Sequence, residues 1–407
     1  MSAQYLSGIA GSNPRSDCIV RYRPRSTGGL KITIESKVAV MYGEAIREQA
    51  GRTLAELGVA AGGLEIEDFG ALPYVLQARI EAAVKAALPE LDRTSLPALT
   101  DFGHPPSRRD RFRRSRLYLP GAQPKFMLNA GIHRPDAIIL DLEDAVGPPE
   151  KLSARLIVRN ALRVLDFFGA ERMVRINQGA LGRDDLTAIV PQPVDLILIP
   201  KVETAHQVVA VDEHITALCR ACGREEPPFL MPILESAKGI LNAQAIADAS
   251  PHNVALAIGL EDYSADLGVA RTAEGVESAF ARSMVVNAAR SAGLQASDSV
   301  FSDVGDRDGL WAAATNAKAL GFDGMGAIHP RQIAVIHEAF APTDEELEQA
   351  KTIVLAFDEA EAQGLGVVSL GTKMIDAPVV QRAERTVELA VALGKLAKGW
   401  RKAGPAA

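Results

Sequence analysis

Eight short apolar runs, RLYLPG, DAIILDLED, RMVRINQ, DLILIPKVE, FLMPILES, VALAIGLED, SVFSDV and DGMGAIHP, alternate with helical stretches between residues 116 and 330. Strands buried on both faces read as near-continuous apolar runs, and in a parallel sheet each is joined to the next by a helix. Eight of them predict a closed α/β barrel of the (β/α)8, or TIM, type. An open doubly wound sheet is the alternative. Against it, RLYLPGAQPKF lacks the G-x-G-x-x-G spacing with which a dinucleotide-binding sheet opens.

Upstream, residues 27–90 read as a small α+β unit. LKITIES and GLEIED alternate as strands, while SKVAVMYGEAIREQAGRTLAELG and YVLQARIEAAVKAAL have helical spacing. The Pro-, Ser- and charge-rich stretch that follows suits a linker. The expected organisation is therefore a small domain over 1–95, a linker over 96–112 and a barrel over 113–342. A helical extension, interrupted by QGLGVVSLGTKMIDAP, follows over 343–407.

With 47% hydrophobic residues, 407 positions suffice for a large buried core. A net charge of −7 offers no overall electrostatic case for nucleic acid, which is held by an excess of Lys and Arg. The sequence has no basic leader followed by a long apolar stretch, and no apolar run nears the roughly 20 residues of a membrane span. A cytoplasmic protein without membrane contact is the expectation. Cys219 and Cys222 form a CxxC inside a helical stretch with no second ligand pair, and read as reduced helix residues.

The strongest functional signal is position. Asp141, Glu143 and Asp144 end the second strand, Arg175 and Asn177 the third, Lys201 and Glu203 the fourth, and Glu235 the fifth. Glu261 and Asp262 end the sixth, Asp303 the seventh and His329 the eighth. In a β/α barrel all of these converge on the mouth where active sites are built. Glu235 and Asp262 form the natural metal pair, because Mg²⁺ takes one or two carboxylates and keeps positions for water and substrate. The alternative is that each caps a helix or pairs with Lys201 or Arg175. Asp141, Glu143 and Asp144 rank below them as supporting or substrate-side groups. Arg175, between Val174 and Ile176, is a buried guanidinium that must face a ligand or a partner. It either holds a carboxylate or a developing enolate, or forms a salt bridge to DLED. The arginines at 108, 109, 111, 113, 114 and 116 could attract coenzyme A phosphates, although such a run is usually a solvated face. Of these only Arg116, at the start of a strand, is a candidate site residue.

RSRLYLPG (114–121), DAIILDLEDAV (136–146), VRIN (174–177), PKVE (200–203), ILES (233–236), GLEDYSADLG (259–268), GFDGMGAIHPRQI (321–333) and MIDAP (374–378) occur in one order. This ordered set resembles citrate lyase β subunits and related CoA-ester lyases of the HpcH/HpaI aldolase type, over about residues 114–395. The resemblance implies a β/α barrel that cleaves a 3-hydroxyacyl thioester, citryl-, malyl- or citramalyl-like, into an acetyl-type thioester and a 2-oxo acid. It implies Mg²⁺ on Glu235 and Asp262, enolate stabilisation by Arg175, and a coenzyme A thioester as substrate. Asp376 looks like the acid/base that enters a neighbouring subunit's site, within a homo-oligomer (trimer or hexamer). A citrate lyase α-type subunit is a candidate partner. The family often reads D-G-K-M-I-D where this chain has Gly371-Thr372-Lys373-Met374-Ile375-Asp376.

The small domain resembles the γ subunit of citrate lyase, an acyl carrier protein. There a serine in a pattern like A-G-T-x-E-S-[SG]-D carries a CoA-derived prosthetic arm. Here Ala10-Gly11-Ser12-Asn13-Pro14-Arg15-Ser16-Asp17 puts Arg15 at that position and Ser16 one residue late. The arm is therefore doubtful, and free coenzyme A thioesters are the expected substrates. Another metal-dependent aldolase, a thioesterase, or a scaffold with an inactive carrier domain are the competing readings.

Overall fold

The computed structural model describes residues 4–9, 11, 14–362, 368–370 and 373–402. At the N-terminal end, β1 (Tyr5–Ser7), β2 (Cys18–Pro24), β3 (Leu30–Ser36) and β4 (Gly62–Asp68) form one sheet of order β1-β2-β4-β3. The β3/β4 pair is parallel, joined across the helix Ala39–Glu56, and the other pairings are antiparallel. Alternate residues of β2 and β4, among them Val20, Tyr22, Leu64 and Ile66, pack on Ile46 and Leu54 of that helix and on Leu76, Ile80 and Val84 of the helix Pro73–Ala87. The two predicted strands and two predicted helices of this unit are present. The sheet extends further back than the pattern from residue 27 suggested.

β5 (Ser115–Pro120), β6 (Ala137–Asp141), β7 (Glu171–Arg175), β8 (Leu196–Ile199), β9 (Phe229–Leu234), β10 (Ala255–Ile258), β11 (Gln295–Asp298) and β12 (Gly324–Ala327) close into a parallel barrel. Seven of these fall on the expected runs, but the seventh barrel strand is QASD (295–298), and SVFSDV follows it as loop. Asp298 therefore ends that strand. Asp303 instead turns the loop, accepting from Gly305 N–H at 2.8 Å.

The interior follows from the two-residue strand period. Ala137 and Ile139, Met173, Leu196 and Leu198, Met231 and Ile233, and Ala255 and Ala257 pack into one apolar cluster. One inward step further along their strands stand Asp141, Arg175, Glu235 and Gly259. The polar mouth is thus the next layer above an apolar plug.

No helix or strand occurs between residues 88 and 114. Most of the arginine run in this segment is turned to the barrel rather than to solvent, with Arg108, paired with Asp110, the exception. Arg113 is buried and pairs with Glu171 at 2.7 Å, Arg114 pairs with Asp136 at 2.8 Å, and Arg109 donates to the carbonyl of Asn253 at 2.7 Å. These partners sit at the N-terminal ends of barrel strands, opposite the mouth. The helix Pro73–Ala87 lies on the barrel helix Lys151–Val164 through Arg159, which pairs with Glu81 at 2.8 Å, and through Arg79, which donates to Ser153 at 2.8 Å while pairing with Asp17 of its own domain at 2.7 Å. Residues 1–333 form one compact unit and 334–407 a second. In the second, the helices Asp344–Ala362 and Ala377–Ala392 pack through Leu347, Val354, Ala383 and Val387, beside the hairpin of β13 (Val368–Leu370) and β14 (Lys373–Ile375). Among the described residues, no helix is long and apolar enough to cross a membrane.

Candidate active site

A cavity of about 350 Å³ opens at the C-terminal ends of the strands, lined by Arg116, Tyr118, Asp141, Asp144, Arg175, Glu235, Gly259, Glu261, Asp262 and Asp298 together with apolar neighbours. Its volume suits the acyl part of a small thioester. Asp141 and Arg175 stand directly opposite one another on the paired strands β6 and β7. The Arg175 fork closes on Asp141, with Nε to Oδ1 and Nη2 to Oδ2 both at 2.7 Å, while Nη1 lies 3.0 Å from Glu143. Burial alone would lower the Arg175 pKa, but the hydrogen bond and charge of Asp141 raise it above the ordinary arginine value. The salt bridge to DLED is therefore present. It fixes the guanidinium from behind and leaves N–H donors over on Nη1 and Nη2. The Tyr118 ring lies 5.4 Å from the guanidinium carbon.

Glu235 is 5% exposed, and its Oε1 accepts the Lys201 backbone N–H at 2.7 Å. Lys201 presents that N–H from a left-handed backbone, φ 52°, which is uncommon for a side-chain-bearing residue and concentrates at functional positions. Its ammonium reaches Glu143 at 3.0 Å and Asp144 at 3.1 Å, and these pairs raise its pKa against the opposing effect of burial. Lys151 secures the same loop from below, donating to the carbonyls of Leu142 and Glu143 at 2.8 and 2.7 Å. Gly259 is required for close approach, because a Cβ there would collide with Glu235 Oε2. Asp262 lies in the first turn of the helix Leu260–Leu267 rather than at the strand end, where the helix N-terminus favours an anion.

Burial first, and then the charge of Asp262, push the Glu235 carboxyl up to about 8. Two facing carboxylates with too little positive charge between them are what a divalent cation would relieve. Among the described residues, no group of three or more His, Cys, Asp or Glu side chains is placed to hold a metal. An ion held by Glu235 and Asp262 would complete its shell with water or substrate oxygens, as Mg²⁺ does. The residues present fit Mg²⁺.

The cavity also brings in Tyr118, Gly259 and Asp298, which pattern reading did not single out. Tyr118 shares a strand face with Arg116, so the two-residue period was its available signal. Six strand-end candidates do not line the cavity, and two of them, Glu143 and Lys201, pair with one another at 3.0 Å. Asn177 bonds Asp185 at 2.8 Å, Glu203 pairs with Lys238 at 3.0 Å, Asp303 turns its loop, and His329 Nδ1 accepts from Arg331 N–H at 3.1 Å. Asp376 N-caps the helix Ala377–Ala392 within the second compact unit, accepting from Val379 N–H at 3.3 Å. Gly371 and Thr372, and positions 10, 12 and 13 of the small domain, lie outside the described residues. Ser16 is described, half-buried in a left-handed turn at φ 61°.

A family model described as HpcH/HpaI aldolase/citrate lyase matches residues 114–330, and a carrier-protein model described as malonate decarboxylase delta subunit (MdcD) matches 5–87. The citrate lyase subunit beta of Haemophilus influenzae is 44% identical over 283 residues, covering 69% of this chain and 97% of the relative. The L-malyl-CoA/beta-methylmalyl-CoA lyase of Cereibacter sphaeroides is 33% identical, covering 70% of this chain and 96% of its own length. The human mitochondrial citramalyl-CoA lyase is 30% identical, covering 78% and 98%. Among solved structures, the CitE protein of Mycobacterium tuberculosis in complex with magnesium, acetoacetate and coenzyme A superposes with a TM-score of 0.58 at 31% identity, covering 70% of this chain and 99% of that one. The chain belongs to the HpcH/HpaI aldolase/citrate lyase family and is a lyase, with an acyl-carrier-like domain set ahead of its barrel.

Proposed function

We propose that the chain cleaves a 3-hydroxyacyl thioester of coenzyme A, citryl-, malyl- or citramalyl-like, into an acetyl-type thioester and a 2-oxo acid, with Mg²⁺ held by Glu235 and Asp262. The observation that carries this reading is one cavity holding both the Asp141-locked Arg175 and the facing Glu235/Asp262 pair. The M. tuberculosis protein, crystallised with magnesium and coenzyme A, supports it. Equimolar appearance of a 2-oxo acid and an acyl-CoA from one of these thioesters tests it.

In the reaction the bond between C2 and C3 breaks. Its electron pair passes into the thioester as an enolate, the C3 hydroxyl proton goes to a base, and C2 then takes up a proton. Bound Mg²⁺ supplies positive charge for the oxygens of the departing 2-oxo acid. Arg175 holds a fixed guanidinium where the enolate charge develops, and Asp141 and Glu143 keep it from turning away. Lys201 orients Glu235 through its backbone N–H and holds the DLED loop through its ammonium.

The ionisation of Glu235 gives the site a pH signature. Its folded pKa of about 8 lies above the ordinary 4.5, so the protonated form is favoured. Stability from this group is complete below pH 4.5 and is lost as pH rises through 8. Because Mg²⁺ must displace that proton, its affinity rises by up to about tenfold per pH unit until the carboxyl is ionised. The melting-temperature increase given by MgCl2 is expected to be larger at about pH 8.5 than at about pH 6.5. Equal increases would contradict the assignment.

Asp376 is proposed to act as the acid/base in a neighbouring subunit's site, within a homo-oligomer. Mixing Arg175→Ala and Asp376→Asn chains then restores part of the activity, because some sites regain both residues. Asn is used because it preserves the helix cap. Mixed oligomers without recovery would place Asp376 in its own subunit's site.

The small domain is proposed to carry no prosthetic arm. Asp17, next to Ser16, is fixed by Arg79, which also pairs with Glu150 of the barrel at 2.5 Å. A carrier loop fastened in this way is poorly suited to swinging between sites. Intact-mass measurement of protein from its native host is expected to give the bare chain mass, and an added phosphoribosyl-dephospho-CoA on Ser16 would overturn the proposal.

A further inference from the structure

The cations around the cavity pair off, with one exception. Arg175 is taken by Asp141, Asp144 by Lys201, Glu261 by Arg271, and the Asp298 carboxylate by Arg282, while Glu235 and Asp262 line the cavity as the proposed metal pair. Arg116 is the exception. It is 1% exposed, lines the cavity, and makes no ion pair among the described residues. Its Nη1 meets the thioether of Met231 at 3.2 Å and its Nη2 donates to the main-chain carbonyl of Asp298 at 3.0 Å. Its Nε has no partner.

A thioether and a single carbonyl compensate a desolvated guanidinium poorly, and arginine cannot escape by losing its proton. A buried cation of this kind, lining a cavity, suits an anionic ligand. Its depth restricts which anion. Arg116 is in register with Ala137, below Tyr118 and four residues before Pro120, which pairs with Asp141 at the rim. The position is that of a cavity floor, away from the rim on which a nucleotide phosphate would rest. A carboxylate carried on the acyl group can reach it.

Carbon 3 of the substrate class bears the hydroxyl, the carboxylate that leaves with the 2-oxo acid, and one more substituent. That substituent is hydrogen in a malyl group, methyl in a citramalyl group and carboxymethyl in a citryl group. Only the last brings an additional negative charge. We infer that Arg116 is a specificity-determining residue that binds a second carboxylate on the C3 branch, so that the preferred thioester yields a dicarboxylic 2-oxo acid. This rests on the lyase reading above and goes beyond it by choosing among its substrates.

The test is calorimetric titration of the full chain in MgCl2 with freshly prepared oxaloacetate and with pyruvate, for the parent, Arg116→Met and Arg116→Lys. The parent is expected to bind oxaloacetate at least about tenfold more tightly than pyruvate, by analogy with other charge-assisted carboxylate contacts. Arg116→Met removes that preference, and Arg116→Lys keeps part of it. Citryl-CoA cleavage should fall relative to citramalyl-CoA cleavage in the same order. Equal affinity of the parent for the two acids overturns the inference even if Arg116→Met fails to fold. So does a folded Met variant that weakens both acids alike. Binding of neither acid, together with no cleavage of any thioester, overturns the lyase reading and the inference with it.

Discussion

Glu235→Gln is expected to lower kcat/KM by about a thousandfold or more while leaving the fold intact, on the scale of losing a principal electrostatic group. The amide is nearly isosteric, and its oxygen can still accept the Lys201 N–H that Oε1 accepts at 2.7 Å. What is lost is the negative charge that a metal requires. That charge is costly in the metal-free protein, since burial and Asp262 hold the carboxyl at about 8. The metal-free variant should therefore melt no lower than the parent at about pH 8.5 and should lose the melting increase given by Mg²⁺. Lost activity with unimpaired stability separates a functional carboxylate from a structural one. A variant that keeps its Mg²⁺ response would remove Glu235 from the metal site.

Arg159→Met is expected to destabilise the first unfolding transition in urea by about 3 kcal/mol, because it leaves the buried Glu81 carboxylate with only the Lys85 ammonium at 3.2 Å and the Ser95 N–H at 3.2 Å for partners. Glu81 is fully buried, and Arg159 grips it at 3.0 and 2.8 Å while also donating to the Ser95 carbonyl at 2.9 Å. The contact joins the small domain to the barrel, so the variant should also expose the 88–114 segment to limited proteolysis. The double variant Glu81→Gln/Arg159→Met should lose less than the sum of the single losses, since the second change removes the stranded charge. Additive losses, or a change within about 0.5 kcal/mol for Arg159→Met, would show that the pair does not hold the domain in place.

The barrel was legible because most of its strands carry their burial in their own residues. DAIILD and FLMPIL are apolar on both faces, and the polar residue that follows each marks the mouth. Continuing the inward alternation Met173, Arg175 and Ile233, Glu235 explains why those side chains converge. β11 was misplaced because Gln295, Ala296, Ser297 and Asp298 contain no large apolar side chain, whereas the loop after it holds Val300, Phe301 and Val304. Neighbouring strands bury it, and that cannot be read within a short window. The arginine run misled for a similar reason. Arg113 is buried because Glu171, 58 residues away, meets it. An ion pair at such separation leaves no local pattern, and a charge run with hidden partners looks the same as one in solvent.

The central claim is Mg²⁺-dependent carbon–carbon cleavage in the barrel. The most direct measurement is incubation of the full chain with citryl-CoA, malyl-CoA and citramalyl-CoA, in EDTA and in MgCl2, with the 2-oxo acid and the acyl-CoA quantified together. The account predicts equimolar release of both products from at least one thioester, abolished by EDTA and restored by Mg²⁺. Free coenzyme A appearing without a 2-oxo acid, or cleavage indifferent to EDTA, would contradict it.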